Sequence, residues 1–515
     1  MDARERVATL AAGAAAATLA RLTADALRRR WSRWPYAWRR RATAREAAAW
    51  LLLGVAPTWA DVPHELAARR SVTCAAQSVS YANTRPLLVV AGRGARLIDA
   101  DGTEYLDTRN NVAHVGHANP RVAAAVADQV ATLNTNTRYL HPNLPALAAR
   151  LLETCPASLK DGAVFFVNSG SEANDLALRL CRAHRGLGEN CGVVVLDHAY
   201  HGHTCSGIAL SPYKHGHKAF QGKGRPEWVE VAASPDTYRG KTDFDASFDA
   251  ALEKLEAKGQ PCGAFFVESG ASVAGVVVAP PGYMKRCYEK VRSRGGLCVA
   301  DEVQTGLGRL GKDAWYAFEA HGVSPDVVTL GKPFGNGVPL AAVVCSRKVA
   351  AAFETGPEFF NTFGGAPAAC AAGLAVLDAL EKDDLRENAT RVGARLRDGL
   401  EALKREGLQW RGPKAPACAV GDVRGGPGLF LGADLVRDVA TREPATAEAS
   451  WVCGRLVAKH RILTSLDGPH DNVLVLKPPL CFSEADADVF LAALRTELAA
   501  VNSLPEDTTF SHCPT

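Results

Sequence analysis

Val327-Val328-Thr329-Leu330-Gly331-Lys332-Pro333 is an apolar, strand-like run that ends in a lysine held between a glycine and a proline. A lysine at the end of a buried strand loses hydration. Its pKa falls, and the neutral amine can form an imine with an aldehyde. A single lysine is far more often a solvated surface group, so the weight of Lys332 depends on its company. Upstream, Gly296-Leu297-Cys298-Val299-Ala300-Asp301-Glu302-Val303-Gln304 reads as a second short buried strand that delivers a carboxylate at its C-terminal end. An acid there suits the ring nitrogen of pyridoxal phosphate, whose protonated pyridine drains electrons from a substrate carbanion. Asp301 is the candidate. Val303, at the next alternating position, can pack flat against the ring, and Gln304 can donate to its phenolic oxygen. A carboxylate at a strand end also commonly serves as a helix cap.

Two further segments point the same way. Ala163-Val-Phe-Phe-Val-Asn-Ser-Gly-Ser-Glu-Ala-Asn-Asp175 passes from an apolar strand through small residues into a helical pattern. Free N–H groups and the dipole at a helix start favour a phosphate, and small side chains let it approach, which nominates Gly170 and Ser171. Ser-Gly-Ser before a helix is equally an ordinary capping sequence. Leu196-Asp-His-Ala-Tyr-His-Gly202 sets Tyr200 at the end of another short strand, where its ring can stack on a ring.

Together with Asn361-Thr-Phe-Gly-Gly365, these segments stand in an order and spelling that resemble the class III aminotransferases, fold-type I pyridoxal phosphate enzymes, from about Pro86 to Glu497. The resemblance implies that Lys332 links covalently to the cofactor, that Asp301 pairs with its ring nitrogen, and that Tyr200 stacks on the ring. It implies phosphate contacts from Gly170 and Ser171. Thr362 would reach across a homodimer interface to the cofactor phosphate of the neighbouring subunit. Asn110-Asn-Val-Ala-His-Val-Gly-His117, Leu133-Asn-Thr-Asn-Thr-Arg-Tyr-Leu-His141, Asp197-His-Ala-Tyr-His-Gly-His203, Ser211-Pro-Tyr-Lys214, Pro235-Asp-Thr-Tyr-Arg-Gly-Lys241, Asp467-Gly-Pro-His470 and Lys477-Pro-Pro479 are similar to the phospho-lyase branch acting on ethanolamine phosphate or 5-phosphohydroxylysine. The implied activity is phosphate elimination from a phosphorylated amine, ethanolamine phosphate first. The alternatives are a transaminase of the ω-amino acid or alanine–glyoxylate type, a phosphohydroxylysine lyase, and a catalytically silent cofactor-binding protein.

A doubly charged substrate phosphate demands cationic side chains. Arg138, Lys214 and Lys218 are candidates, with Arg239 and Lys241 behind them, and each also reads as a solvated surface charge. Arg424 resembles the arginine that in many relatives meets a substrate carboxylate or pairs with a glutamate, here Glu268. Two departures from the family pattern fall nearby. Gly270 and Ala271 replace a segment that usually carries a glutamine and a double glycine, and Pro427 lengthens the stretch after Arg424 by one residue.

The chain has 515 residues, 47% of them hydrophobic and 22% charged, enough for a large core and more than one domain. Strands near Val164, Val193, Ala264, Leu297, Val327 and Ala341 alternate with helices, which predicts an α/β fold, a mostly parallel sheet covered on both faces. Residues 144–383 would form the large cofactor-binding domain. Residues 384–500, with strands around Leu429, Ile462 and Val473, would form a small α+β domain, to which 71–143 contribute through a hairpin turning at Asp99 to Gly102. Residues 501–515 read as a tail.

The net charge is +4, and the eleven arginines and four acids of the first fifty residues carry +7, leaving the body at −3. That argues against nucleic-acid binding by the body. The Ala/Arg-rich extension, residues 1–70, resembles an organelle transit peptide, so a mitochondrial matrix location is expected, with the cytoplasm as alternative. Ala47 to Val55 is too short to span a bilayer, for which about 20 apolar residues are needed, so no membrane association is expected. Fourteen scattered cysteines with no Cys-x-x-Cys pair favour a reducing compartment. No metal is expected, since His198, His201 and His203 lack ligand spacing.

Overall fold

The computed structural model describes residues 61–81, 86–215, 225–240, 242–354, 356, 358–407, 417–505, 508 and 510. The extension up to residue 60 lies outside them, as do Lys218 and Lys241. Chain contacts define two compact units, one up to Tyr105 and one from Leu106.

In the first unit, Asp61 caps the helix Val62–Val72 by accepting from the His64 N–H at 2.7 Å. Strand β1 (Val89–Arg93) pairs antiparallel with β2 (Arg96–Asp99). The turn expected at Asp99 to Gly102 is present: Asp99 Oδ1 accepts from the N–H groups of Asp101 and Thr103 at 3.0 and 2.8 Å, a side chain imitating a backbone turn. It leads into β3 (Glu104–Asp107).

The second unit is built on seven strands: β4 (Ala163–Val167), β5 (Gly192–Leu196), β6 (Val229–Ala232), β7 (Cys262–Glu268), β8 (Leu297–Asp301), β9 (Val327–Leu330) and β10 (Ala341–Cys345), in the order β4-β10-β9-β8-β7-β5-β6. Pairing from β6 through β9 is parallel, and β10 alone runs antiparallel to its two neighbours. Alternate residues feed two separate cores. Val193, Val195, Phe266 and Val299 pack with Ala173, Leu176 and Leu180 of the helix Gly170–Arg185 on one face. Val194, Phe265, Val267 and Cys298 pack on the other face with Phe248 and Leu252 of the helix Phe244–Ala257 and Tyr288 of the helix Tyr283–Ser293.

The six strands read from sequence are all present. The seventh, β6, carries Glu230 at its centre, a polar residue that breaks an apolar pattern. Its buried carboxylate is met by Lys258 at 2.6 Å and Arg225 at 2.9 Å.

An antiparallel sheet follows, from β11 (Ala419–Gly425), β12 (Leu431–Asp438), β13 (Glu443–Pro444), β15 (Ser465–Asp467) and β16 (Val473–Leu476), with β14 (Ile462–Leu463) outside it. Its order is β11-β12-β16-β15, with β13 on β12, while β14 pairs parallel with Leu106 and Asp107. The helices Leu385–Gly407, Thr446–His460 and Glu484–Val501 flank it. Among the described residues no helix is long and apolar enough to cross a membrane.

Register places the chemistry. Glu268 pairs with Asp301, and Asp301 pairs with Thr329, so three polar residues form one row across β7, β8 and β9 at or next to their carboxyl ends. Ligands of open α/β sheets bind in the crevice outside such ends. Lys332 follows two residues after β9.

Two helical glycines set up a test of packing. A Cβ at Gly393 would collide with the backbone of Gly428, whereas at Gly454 it would meet nothing within 4 Å. Gly454→Ala is expected to stabilise the protein by about 0.5–1 kcal/mol through the lower entropy of the unfolded chain. Gly393→Ala should destabilise it by about 1–3 kcal/mol through overpacking. Denaturant midpoints at a common slope check both. Equal shifts would mean that the helix Leu385–Gly407 does not seat on the 426–428 turn.

Candidate active site

A cavity of about 380 Å³ opens at the carboxyl ends of the strands, lined by Asn168 to Ser171, Tyr200, Glu268, Asp301, Val303, Gln304 and Lys332 among others. It gathers the segments singled out from sequence. Asp301, 4% exposed, is held by three donors: Asn174 Nδ2 at 2.7 Å and His201 Nδ1 at 2.8 Å on Oδ2, and the Val303 N–H at 3.0 Å on Oδ1. Asn174 is itself fixed, since its Oδ1 accepts from Thr329 Oγ1 at 2.8 Å and its Nδ2 also donates to the His201 carbonyl at 3.0 Å. Its position one helical turn after Gly170 was the sequence signal for it. The role of helix cap goes to the next residue. Glu302, fully buried, accepts from the N–H groups of Ala317 and Phe318 at 3.0 Å each.

Lys332 makes no hydrogen bond or ion pair among the described residues. Burial pulls its pKa below the ordinary lysine value, with Asp301, Glu268 and Asp467 opposing in that order. Glu268 accepts from the N–H groups of Tyr200 at 2.9 Å and Ser272 at 3.3 Å. Desolvation pushes its pKa up to about 7, with Asp301 adding to the rise and His201 opposing it.

The start of the helix Gly170–Arg185 serves two ends. Ser169 caps it, its Oγ accepting from Glu172 N–H at 3.2 Å, while Gly170 and Ser171 turn toward the cavity. A Cβ at Gly170 would stand 2.7 Å from Val303 Cγ2, so this approach requires glycine. Gln304 is positioned by Asn111, whose Nδ2 donates to Oε1 at 2.5 Å. Its own amide N–H groups remain to donate. Tyr200 meets Tyr213 edge-on at 6.4 Å, and Lys214 Nζ lies 4.8 Å from the Tyr213 ring and 5.9 Å from that of Tyr200.

Other candidates lie elsewhere. Arg138 faces Glu358 at 2.9 Å and covers the Phe360 ring, away from the cavity lining. Thr362 is exposed and outside the cavity of its own chain. Arg239 is bound by Asp434 at 2.5 Å. The expected pairing of Arg424 with Glu268 is not formed. Arg424 is buried against Asp434 at 2.6 Å, Asp236 at 3.0 Å and Asp422 at 3.3 Å, since its own strand β11, the neighbouring β12 and the 235–239 turn each bring a carboxylate to it first. Of the histidines, His201 serves Asp301, while His198 pairs with its neighbour Asp197 at 3.3 Å. Sequence reading missed Asn111, Asn174 and the orienting role of His201.

The residues fit pyridoxal phosphate. Gly170 and Ser171 line the cavity at a helix start, where free N–H groups would receive a phosphate. Asp301 would supply the carboxylate for a ring nitrogen, Val303 and Tyr200 would offer flat apolar contact, Gln304 would donate, and Lys332 would supply an amine whose pKa burial lowers. When bound, the cofactor supplies an electrophilic carbonyl and a cationic ring that withdraws electrons from the carbon bearing the amine.

Comparison with known proteins agrees. The Aminotransferase class-III family model matches residues 76–498. The chain is 45% identical over 429 residues to the Drosophila melanogaster protein named alanine–glyoxylate aminotransferase 2-like, covering 81% of this chain and 83% of that one. It is 37% identical over 457 residues to ethanolamine-phosphate phospho-lyase homolog 1 of Caenorhabditis elegans, covering 85% and 94%. Among solved structures, a phospholyase from Arthrobacter in complex with phosphoethanolamine superposes with a TM-score of 0.76 at 37% identity, covering 86% of this chain and all of that one. With the register row, the glycine approach and the lysine in place, the chain belongs to the class III aminotransferases, enzymes of fold type I that work with pyridoxal phosphate.

Proposed function

We propose that this enzyme is a phospho-lyase that eliminates phosphate from a phosphorylated amine, with ethanolamine phosphate as substrate. The observation that carries the reading is the enclosure of Arg424 by Asp236, Asp422 and Asp434. A transaminase must bind a keto acid in its second half-reaction, and phosphohydroxylysine carries a carboxylate of its own. An arginine already facing three carboxylates is poorly placed to receive a fourth. Ethanolamine phosphate has none, and elimination needs no keto acid. The likeness to two phospho-lyases supports this choice. The 45% identity to a protein named as an aminotransferase supports transamination as the second reading.

The chain's own groups supply the steps. Asp301, held by three donors, keeps a proton on the ring nitrogen. Lys332, its pKa lowered by burial, takes the proton from the carbon bearing nitrogen. The C–O bond to phosphate then breaks, with its electron pair leaving on the phosphate oxygen. Ethanolamine phosphate and water give acetaldehyde, ammonia and inorganic phosphate, and the cofactor returns unchanged.

A homodimer with a shared site belongs to the same reading. Tyr139, Leu140, Phe360 and Phe363 stand 41–106% exposed in two segments joined by the Arg138–Glu358 pair, with Thr362 beside them. Such apolar exposure next to Thr362 supports burial against a second copy.

Purified enzyme loaded with pyridoxal phosphate is expected to release phosphate and acetaldehyde in equal amounts from ethanolamine phosphate over many turnovers without a keto acid. Turnover that starts only when pyruvate or glyoxylate is added would favour the transaminase. A second test concerns pH. Glu268, at about 7, gains its negative charge as pH rises through neutrality. The groups acting on it or acted on by it are Tyr200, His201, Asp301, Lys332 and Lys477. Its new charge opposes an anionic substrate, so kcat/KM should fall on the alkaline side of pH 7, after the substrate phosphate has completed its own ionisation near pH 6. Glu268→Gln should remove that limb, and an unchanged profile would show that another group sets it.

A further inference from the structure

The cations that the sequence offered for a substrate phosphate are mostly engaged. Arg138 faces Glu358, Arg239 faces Asp434, and Arg424 faces three aspartates. Around Arg239 and Arg424, the three carboxylates of Asp236, Asp422 and Asp434 are matched by three cations, Arg239, Arg424 and Lys404, so this cluster is already neutralised. Beside Lys332 lie two cations with fewer partners. Arg109 makes no ion pair among the described residues, and Lys477 reaches one carboxylate, Asp467, at 3.7 Å.

Backbone contacts set Arg109 and Lys477 next to each other. Asp107 Oδ1 accepts from the N–H groups of Arg109 at 3.1 Å and Asn110 at 3.0 Å, and its Oδ2 lies 2.7 Å from His117 Nε2, which fixes the turn that carries Arg109. The Thr108 carbonyl accepts from the Lys477 N–H at 2.9 Å. Beyond Lys477, the buried Arg309 donates to the Pro478 carbonyl at 2.5 Å, and the Leu480 N–H donates to the His114 carbonyl at 2.7 Å. The lysine therefore sits on a pinned segment. Its Nζ donates to Ser272 Oγ at 2.8 Å, and the Ser272 N–H donates to Glu268, which lines the cavity with Lys332. Burial lowers the pKa of Lys477, Asp467 opposes the fall, and Lys332 and Arg109 add to it, as expected of three neighbouring cations.

We propose that Arg109 and Lys477 form the subsite for the substrate's phosphate, with Asp467 as the counterion that the phosphate displaces; the proposal rests on the phospho-lyase reading. A phosphate monoester carries about −1.5 to −2 charges at neutral pH, which matches two cations better than the single carboxylate does. The subsite also faces the charge that builds on the departing phosphate as its C–O bond breaks. The sequence reading placed both residues within or beside stretches similar to the lyase branch, without assigning either a task.

The test uses cofactor-loaded enzyme and two probes. One is ethanolamine phosphate, followed by phosphate release. The other is inorganic phosphate, titrated against a phosphate-free amine such as 2-aminoethanol while the cofactor's absorbance reports which is bound. Lys477→Met and Arg109→Gln should each raise KM for ethanolamine phosphate and weaken inorganic phosphate by about 10- to 100-fold, as for loss of a charged hydrogen bond. Lys477→Arg should retain most of the affinity. Asp467→Asn should move the other way, tightening both probes several-fold, which no merely structural damage would do. Wild-type affinities in Lys477→Met and Arg109→Gln, with wild-type cofactor spectra, would overturn the proposal. If Lys477→Met does not load cofactor, the opposed effects of Arg109→Gln and Asp467→Asn decide it. Should the wild type release no phosphate, the lyase reading fails, and the titration with inorganic phosphate still decides whether Arg109 and Lys477 bind an anion.

Discussion

A buried carboxylate, Asp301, is held in place by three hydrogen bonds, and the rest of the site is arranged around it. Desolvating an unpaired carboxylate costs several kcal/mol, so Asp301 can lie at the end of a fully covered strand only if donors are fixed in advance. Asn174 comes from the helix after β4, His201 from the segment after β5, and the Val303 N–H from the turn after Asp301 itself. Parallel pairing then places Thr329 beside Asp301, where it orients Asn174, and sends the chain on to Lys332. The seven-stranded sheet acts as the jig that brings an acid and an amine to one cavity.

The same packing divides the charged residues into two groups with different electrostatics. Around Arg424, three carboxylates are matched by Arg424, Arg239 and Lys404. Near Lys332, Lys477 reaches a single carboxylate at 3.7 Å and Arg109 makes no ion pair among the described residues. A site that must separate amine chemistry with a carboxylate-bearing partner from chemistry on a phosphate ester can do so with this partition alone, since charge complementarity governs selection.

Much of this was legible in the sequence because it is local. A lysine between glycine and proline after an apolar run, an acid ending another such run, and small residues opening a helix are read within a few residues of one another, and the structure gathers Lys332, Asp301, Gly170, Ser171, Tyr200, Val303 and Gln304 at one cavity. What was not legible is long-range. The pairs Asn174–Asp301 and Arg424–Asp434 depend on which strand neighbours which, and β6 was hidden because its central glutamate finds its cations only in the folded state. Arg138 and Arg239 were attractive as charges in suggestive stretches, yet each is drawn off by an acid from a distant segment.

Two half-buried lysines stand close to the same cavity, Lys332 and Lys477, and the covalent role falls to the first alone. Borohydride reduction of the cofactor-loaded protein, followed by peptide mapping by mass spectrometry, distinguishes them directly. The expected result is a pyridoxyl label confined to Lys332. A label on Lys477, or on neither lysine, would contradict the account.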